Sequence, residues 1–218
     1  MHKNINEIKK LESPPQVIKN LFDTNEIEKF FNLYKQLPTT IHNKKQNVIK
    51  KRWLKNYSEE LETIFNDRIK NEIGDFKMDN LKDENNNDIL GLFQESYNPI
   101  GLHVDAGFNL DEIIFKQTLI PLTSKGSTVI FKNKFYGNST SFTIDENELK
   151  IKNLKYGQNI RSAEHLKIFN NEPFDKKNHE KYLKHEKIEN LSGLEIDIVY
   201  EWELGSILIF DRTRLHCS

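Results

Sequence analysis

EIDIVYEWELGSILIFDRTRLHCS, residues 195–218, is the stretch that decides the fold. Side chains alternate between the two faces of a strand. Here Ile196, Ile198, Tyr200 and Trp202 take one face and mostly acidic residues take the other. Gly205 turns the chain into the apolar SILIF (206–210), and TRLHC (213–217) reads as one more strand. The same period of two runs through ILGLFQESY (89–97), EIIFKQTLIPL (112–122) and STVIFKNKF (127–135). Asn98-Pro99 ends the first of these, and SKG (124–126) reads as a turn that joins the other two in a hairpin.

Residues 1–75 read as helical. Asp23 and Glu26 have capping-box spacing. Ile27, Phe30, Phe31 and Tyr34 then follow at i, i+3, i+4 and i+7, one apolar face of a helix that Pro38 ends. A second stripe uses Leu54, Tyr57, Leu61, Ile64 and Phe65 and stops at Gly74. KDENNND (82–88) is a polar loop. Residues 140–192, rich in Lys, Asn and Glu, form a polar insertion between two groups of strands. There is no internal repeat and no second core, so the expectation is one domain over 1–218, mostly helical over 1–88 and β over 89–218. Several short antiparallel strands with helices against them predict a mainly β fold, a sandwich or jelly roll.

Composition narrows the function classes. The 218 residues are 36% hydrophobic and 30% charged, and fourteen Phe must be buried somewhere, which argues against disorder. A net charge of −1 gives no general attraction to nucleic acid or an anionic membrane. KKQNVIKKRWLK (44–55) is basic but reads as a solvated helix face. One cysteine, Cys217, allows no intrachain disulfide. MHKNINEIKK lacks the apolar core of a signal peptide, and no run approaches the roughly 20 apolar residues of a membrane helix. A soluble cytoplasmic protein with no nucleic-acid or membrane partner is expected, and its oligomeric state is left open.

The chemistry centres on GLHVDAG (101–107). On a strand, His103 and Asp105 face the same side. His216 is far away in sequence but lies on a strand that can be a neighbour. Two imidazoles and one carboxylate on one face of an ion make the facial triad of non-haem Fe(II) oxygenases, though the same donors also suit Zn(II) or Mn(II).

SYNPIGLHVDAG followed by the closing GSILIFDRTRLHCS resembles the Fe(II)/2-oxoglutarate-dependent oxygenases, nearest to their phytanoyl-CoA and prolyl-hydroxylase branches. The resemblance covers roughly residues 89–218. It implies a double-stranded β-helix (jelly roll), with His103, Asp105 and His216 holding Fe(II). It also implies 2-oxoglutarate as cosubstrate, converted to succinate as a small-molecule substrate is hydroxylated. Relatives carry an Arg or Lys on a further strand beyond the distal His, to pair with the far carboxylate of 2-oxoglutarate. This sequence stops at Ser218, so either it is a fragment or another cation does that job, with Lys116 the expected substitute and Arg214 the runner-up. Lys116 stands in an apolar strand, either at a rim or paired with a buried anion. Tyr97 matches the strand Tyr that reaches 2-oxoglutarate, and Ser218 matches a minor polar contact. Two other readings remain open: a non-catalytic jelly-roll binding module, and a cupin-like metal enzyme that needs no oxoacid. The insertion is expected to act as a lid. Its Tyr156, Phe169 and Phe174 would then face substrate, with His165, His179 and His185 solvated.

Overall fold

A computed structural model describes residues 5–43, 47–76, 81–105, 116–136, 141–143, 158–160 and 172–218. In chain order the elements are α1 (Ile5–Leu11), β1 (Gln16–Ile18), α2 (Thr24–Gln36), β2 (Ile41–Asn43), β3 (Val48–Leu54), α3 (Glu59–Ile73), β4 (Leu81–Lys82) and β5 (Asp88–Ser96). Then follow β6 (Lys116–Leu119), β7 (Ser127–Lys134), β8 (Ser141–Thr143), β9 (Gln158–Ile160) and α4 (Lys176–Tyr182). A 3-10 turn at Ile188–Leu191 leads into β10 (Ile196–Glu201), β11 (Ile207–Asp211) and β12 (Arg214–Cys217). The fold is mostly β, with three antiparallel sheets and a few helices.

Local chemistry sets the helix ends. The Asp23 side chain accepts from the Glu26 backbone N–H, and the Glu26 side chain accepts from that of Asp23, so the capping box closes at the start of α2. Helix α3 stops at Gly74, whose φ of 80° suits a residue without Cβ. The expectation that residues 1–75 are helical throughout is corrected at β1, β2 and β3. The basic stretch around Lys50–Arg52 is a strand, paired antiparallel with β5 along its whole length. Val48 and Trp53 are buried at its two ends. Leu54 therefore belongs to a strand, and Tyr57 is exposed in the turn before α3. Lysines on β3 hid the signal, because a strand with one half-buried face tolerates long charged side chains whose stems lie flat.

The strand orders are β1-β11-β6 (sheet I), β10-β7-β12 (sheet II) and β2-β3-β5-β4 (sheet III), with a short parallel pair β8-β9. The expected hairpin between 112–122 and 127–135 is not formed: β6 pairs with β11, and β7 pairs with β10 and β12. The turn at 124–126 instead carries the chain from sheet I to sheet II. The chain crosses between these sheets twice more, at Gly205 and between Asp211 and Arg214. At Gly205 the crossing is tight. Its φ is 78°, its carbonyl accepts from Phe22 N–H at 2.9 Å, and a Cβ there would run into the Phe22 carbonyl.

Three apolar clusters result. Ile130 and Tyr200 of sheet II meet Leu208 and Phe210 of sheet I, so the two sheets face each other. The other face of sheet I, through Ile207 and Ile209, packs on Phe22, Ile27 and Phe30, and Trp53 of sheet III closes the far side. The other face of sheet II, through Val129, Phe131, Leu215 and Cys217, is covered by Phe174, Leu183, Leu191 and Leu194. Each large side chain of this kind contributes roughly 1.5–3 kcal/mol on burial. The described end of the insertion is thus part of the core. Phe174 is buried with its ring edge-on to Phe131, which corrects its expected role at a substrate mouth. Tyr156, Phe169 and His165 lie outside the described residues. Among the described residues, no helix is long and apolar enough to cross a membrane.

Candidate metal centre

His103 and His216 sit directly opposite each other. Their backbones exchange both hydrogen bonds, 3.0 Å from His103 N–H to the His216 carbonyl and 2.9 Å in return. In such an antiparallel pair the two side chains project from the same face. The imidazole centroids are 4.0 Å apart. His216 pairs with Ile130 in the β12–β7 register, so it points into the space between sheets I and II. The Phe210 ring stands edge-on against it at 5.0 Å. Asp105, two residues beyond His103, returns to the same face. Its Oδ2 is 3.2 Å from His216 Nε2 and its Oδ1 is 3.7 Å from His103 Nε2.

The other ring nitrogens fix the tautomers. His103 Nδ1 lies 2.7 Å from the Gly101 carbonyl and His216 Nδ1 lies 3.0 Å from the Arg214 carbonyl. A carbonyl only accepts, so each Nδ1 carries a proton and each Nε2 is turned inward toward Asp105. Burial, and then the neighbouring His216, lower the His103 pKa to about 4, so the ring is neutral at pH 7. Burial pushes the Asp105 carboxyl the other way, but His216, His103 and an amide hydrogen bond from Gln117 outweigh it and hold the group ionised. Two imidazole Nε2 atoms and a carboxylate therefore converge, a donor set that suits a divalent cation.

The ligand atoms all lie within 4.8 Å of one another. An ion about 2.1 Å from each donor needs neighbouring donors about 3 Å apart, so small side-chain adjustments close the site. The donor set therefore fits a divalent metal. Of the three ligand side chains, Asp105 is the most exposed, at 38%, and His216 is buried.

No family model, curated protein or solved structure matches the chain.

The expected cosubstrate anchors are placed elsewhere. Lys116 and Gln117 are adjacent on β6 and take opposite faces; Gln117 reaches Asp105, while Lys116 Nζ bonds Asp211 at 2.6 Å and Ser13 Oγ at 2.7 Å. Asp211 is its cross-strand partner and is fully buried, so it is the buried anion that Lys116 serves. Arg214 is buried in an ion pair with Asp197, and it also donates to the Ser13 carbonyl at 3.1 Å. A register shift between Arg214 and His216 breaks the alternation that would have put both on one face. Tyr97 is 61% exposed and its hydroxyl bonds Glu95, whose charge raises the phenol pKa. Ser218 shares the strand with His216, but its hydroxyl is 3.1 Å from that of Thr128.

Three neighbours were not singled out by sequence. Gln117 orients Asp105. Arg212 Nε donates to the Asp105 carbonyl at 3.0 Å. Glu186 accepts from Leu102 N–H at 2.6 Å and from Asn190 Nδ2 at 2.9 Å, which pins the loop just before His103. A Cβ at Gly101 would collide with that Glu186 carboxylate, so the glycine is what lets the acid approach. Alternation along β6 is enough to point to Gln117 once Asp105 is suspected. Arg212 lies in a turn and Glu186 in a charged run, where no period singles them out. His179 is half-buried with Nε2 2.9 Å from the Glu186 carbonyl, so it is not the simply solvated group that the sequence implied, whereas His185 is exposed as expected.

Proposed function

We propose that the chain is an Fe(II)- and 2-oxoglutarate-dependent oxygenase with a jelly-roll core, acting on a small molecule. The observation that carries this reading is the convergence of His103 Nε2, His216 Nε2 and one Asp105 oxygen, with both Nδ1 atoms committed to backbone carbonyls. Three ligands on one face leave the remaining positions for other oxygen donors, as oxygenase chemistry requires. When bound, Fe(II) with 2-oxoglutarate supplies a two-electron oxidation by O₂, with succinate and CO₂ as by-products. The protein's own part is positional. The Gly101 and Arg214 carbonyls hold the imidazoles in one tautomer and orientation, and Gln117 holds the carboxylate, which is how outer partners tune a metal site. Phe210 and Ile130 keep water from the His216 side.

The deciding experiment is an anaerobic titration. The protein is loaded with Fe(II), then 2-oxoglutarate is added while the visible charge-transfer band of the chelate is followed. A saturable band in the wild type, absent in His216→Ala, is the expected result. Iron bound without a band would sink the oxygenase reading and leave a metal protein that does not use the oxoacid. No iron bound at all would leave a binding module.

A further inference from the structure

Among the described arginines, Arg52, Arg68 and Arg214 each hold a carboxylate, from Glu84, Glu26 and Asp197. Arg212 does not. Among the described residues, its one hydrogen bond is from Nε to the Asp105 backbone carbonyl. That bond sets the guanidinium beside the triad and leaves both Nη groups for another acceptor. Arg212 is half-buried. A partly desolvated guanidinium that has no carboxylate partner among the described residues is costly to maintain.

A divalent ion, one carboxylate and two neutral imidazoles sum to +1, and Arg212 brings the centre to +2. A ligand with two negative charges would neutralise it, with one carboxylate at the metal and the other on the guanidinium fork.

We propose that Arg212 is the carboxylate-binding residue of this site, its two Nη groups taking a carboxylate of a ligand seated over His103, Asp105 and His216. The inference rests on the metal-centre reading above. The carboxylate is either the far end of the oxoacid or a group of the substrate, and the experiment separates the two.

Mn(II)-loaded protein is titrated calorimetrically with 2-oxoglutarate, with 2-oxopentanoate (the same chain without the far carboxylate) and with succinate. Arg212→Gln and Arg212→Lys are measured alongside, each first checked for Mn(II) affinity. The expected result is unchanged Mn(II) affinity and a preference of about 30-fold for 2-oxoglutarate over 2-oxopentanoate that vanishes in Arg212→Gln, the size of one charge-assisted contact. Arg212→Lys should fall between, because an ammonium cannot present a fork. Equal oxoacid binding by both proteins, with succinate weakened only in the variant, would assign the fork to a substrate carboxylate. Succinate held through Arg212 with no oxoacid binding would keep this inference and remove the oxygenase reading. The inference is overturned if Arg212→Gln binds all three as the wild type does, if the wild type binds none, or if the variant loses Mn(II), since Arg212 would then act only through the Asp105 backbone.

Discussion

Replacing Lys116 by Met separates a structural cation from a cosubstrate anchor. Asp211 has no exposed side-chain surface and three donors near it: Lys116 Nζ at 2.6 Å, Ser13 N–H at 3.1 Å and Arg214 Nε at 3.8 Å. Stranding a fully buried charge costs about 3–5 kcal/mol. Here the loss is smaller, because the Lys116 side chain is 37% exposed and water can enter where its ammonium stood. Ser13 and Arg214 also remain. About 2 kcal/mol is a reasonable figure, and for a chain of this length each kcal/mol moves Tm by about 2–4 °C, so Tm should fall by about 4–8 °C. Asp211→Asn in the same background should recover part of that loss, since the stranded charge is gone. Calorimetric affinities for Mn(II) and 2-oxoglutarate should stay within about twofold of wild type, because Lys116 faces away from Asp105. An unchanged Tm with 2-oxoglutarate binding abolished would refute this reasoning and return Lys116 to the cosubstrate.

Other outcomes follow from the same geometry. Gly101→Ala displaces Glu186 from Leu102 N–H, so stability should fall by about 1.5 kcal/mol and Mn(II) affinity by about tenfold; urea melts and calorimetry check both. In metal-free protein, His103 takes up its proton near pH 4 and its unfolded form near 6.5. The unfolded chain binds the proton first, so the group's contribution is present above about pH 6.5 and is lost as pH falls toward 4. A Tm series in chelator should show this limb, flattened in His103→Asn. Burial raises the Cys217 thiol well above its ordinary pKa, so an aromatic disulfide reagent at pH 8 should leave the native protein unlabelled and label it fully in denaturant. Tyr97→Phe should change neither stability beyond about 0.5 kcal/mol nor oxoacid affinity.

The C-terminal strands were legible because β10 alternates with a period of two, β11 is a short apolar run, and Gly205 turns the chain between them. His103 and Asp105 were legible because residues i and i+2 of extended backbone share a face, although around His103 the structure has an isolated bridge to His216 in place of a strand. β3 was not, because Lys50, Lys51 and Arg52 interrupt its apolar pattern and the pairing with β5 is what makes it a strand. The Lys116–Asp211 pair was half legible. A lysine in an apolar strand announces a buried anion, but only the register between β6 and β11 says which one. Arg214 was misplaced by assuming unbroken alternation across a register shift.

The crossings between sheets I and II bear on how the molecule acquires its site. β11 lies between β1 and β6, and β12 lies beside β7, so neither sheet is complete until residues 207–217 have docked. All these pairings join distant segments, the kind of topology that folds slowly. Before they form, β6 and β7 each present an open edge to other chains. His216 lies in that segment, so the metal site is complete only once the pairing is, and metal bound there locks it. Refolding yield should therefore depend on chain concentration, and added Mn(II) should slow unfolding far more than it speeds folding.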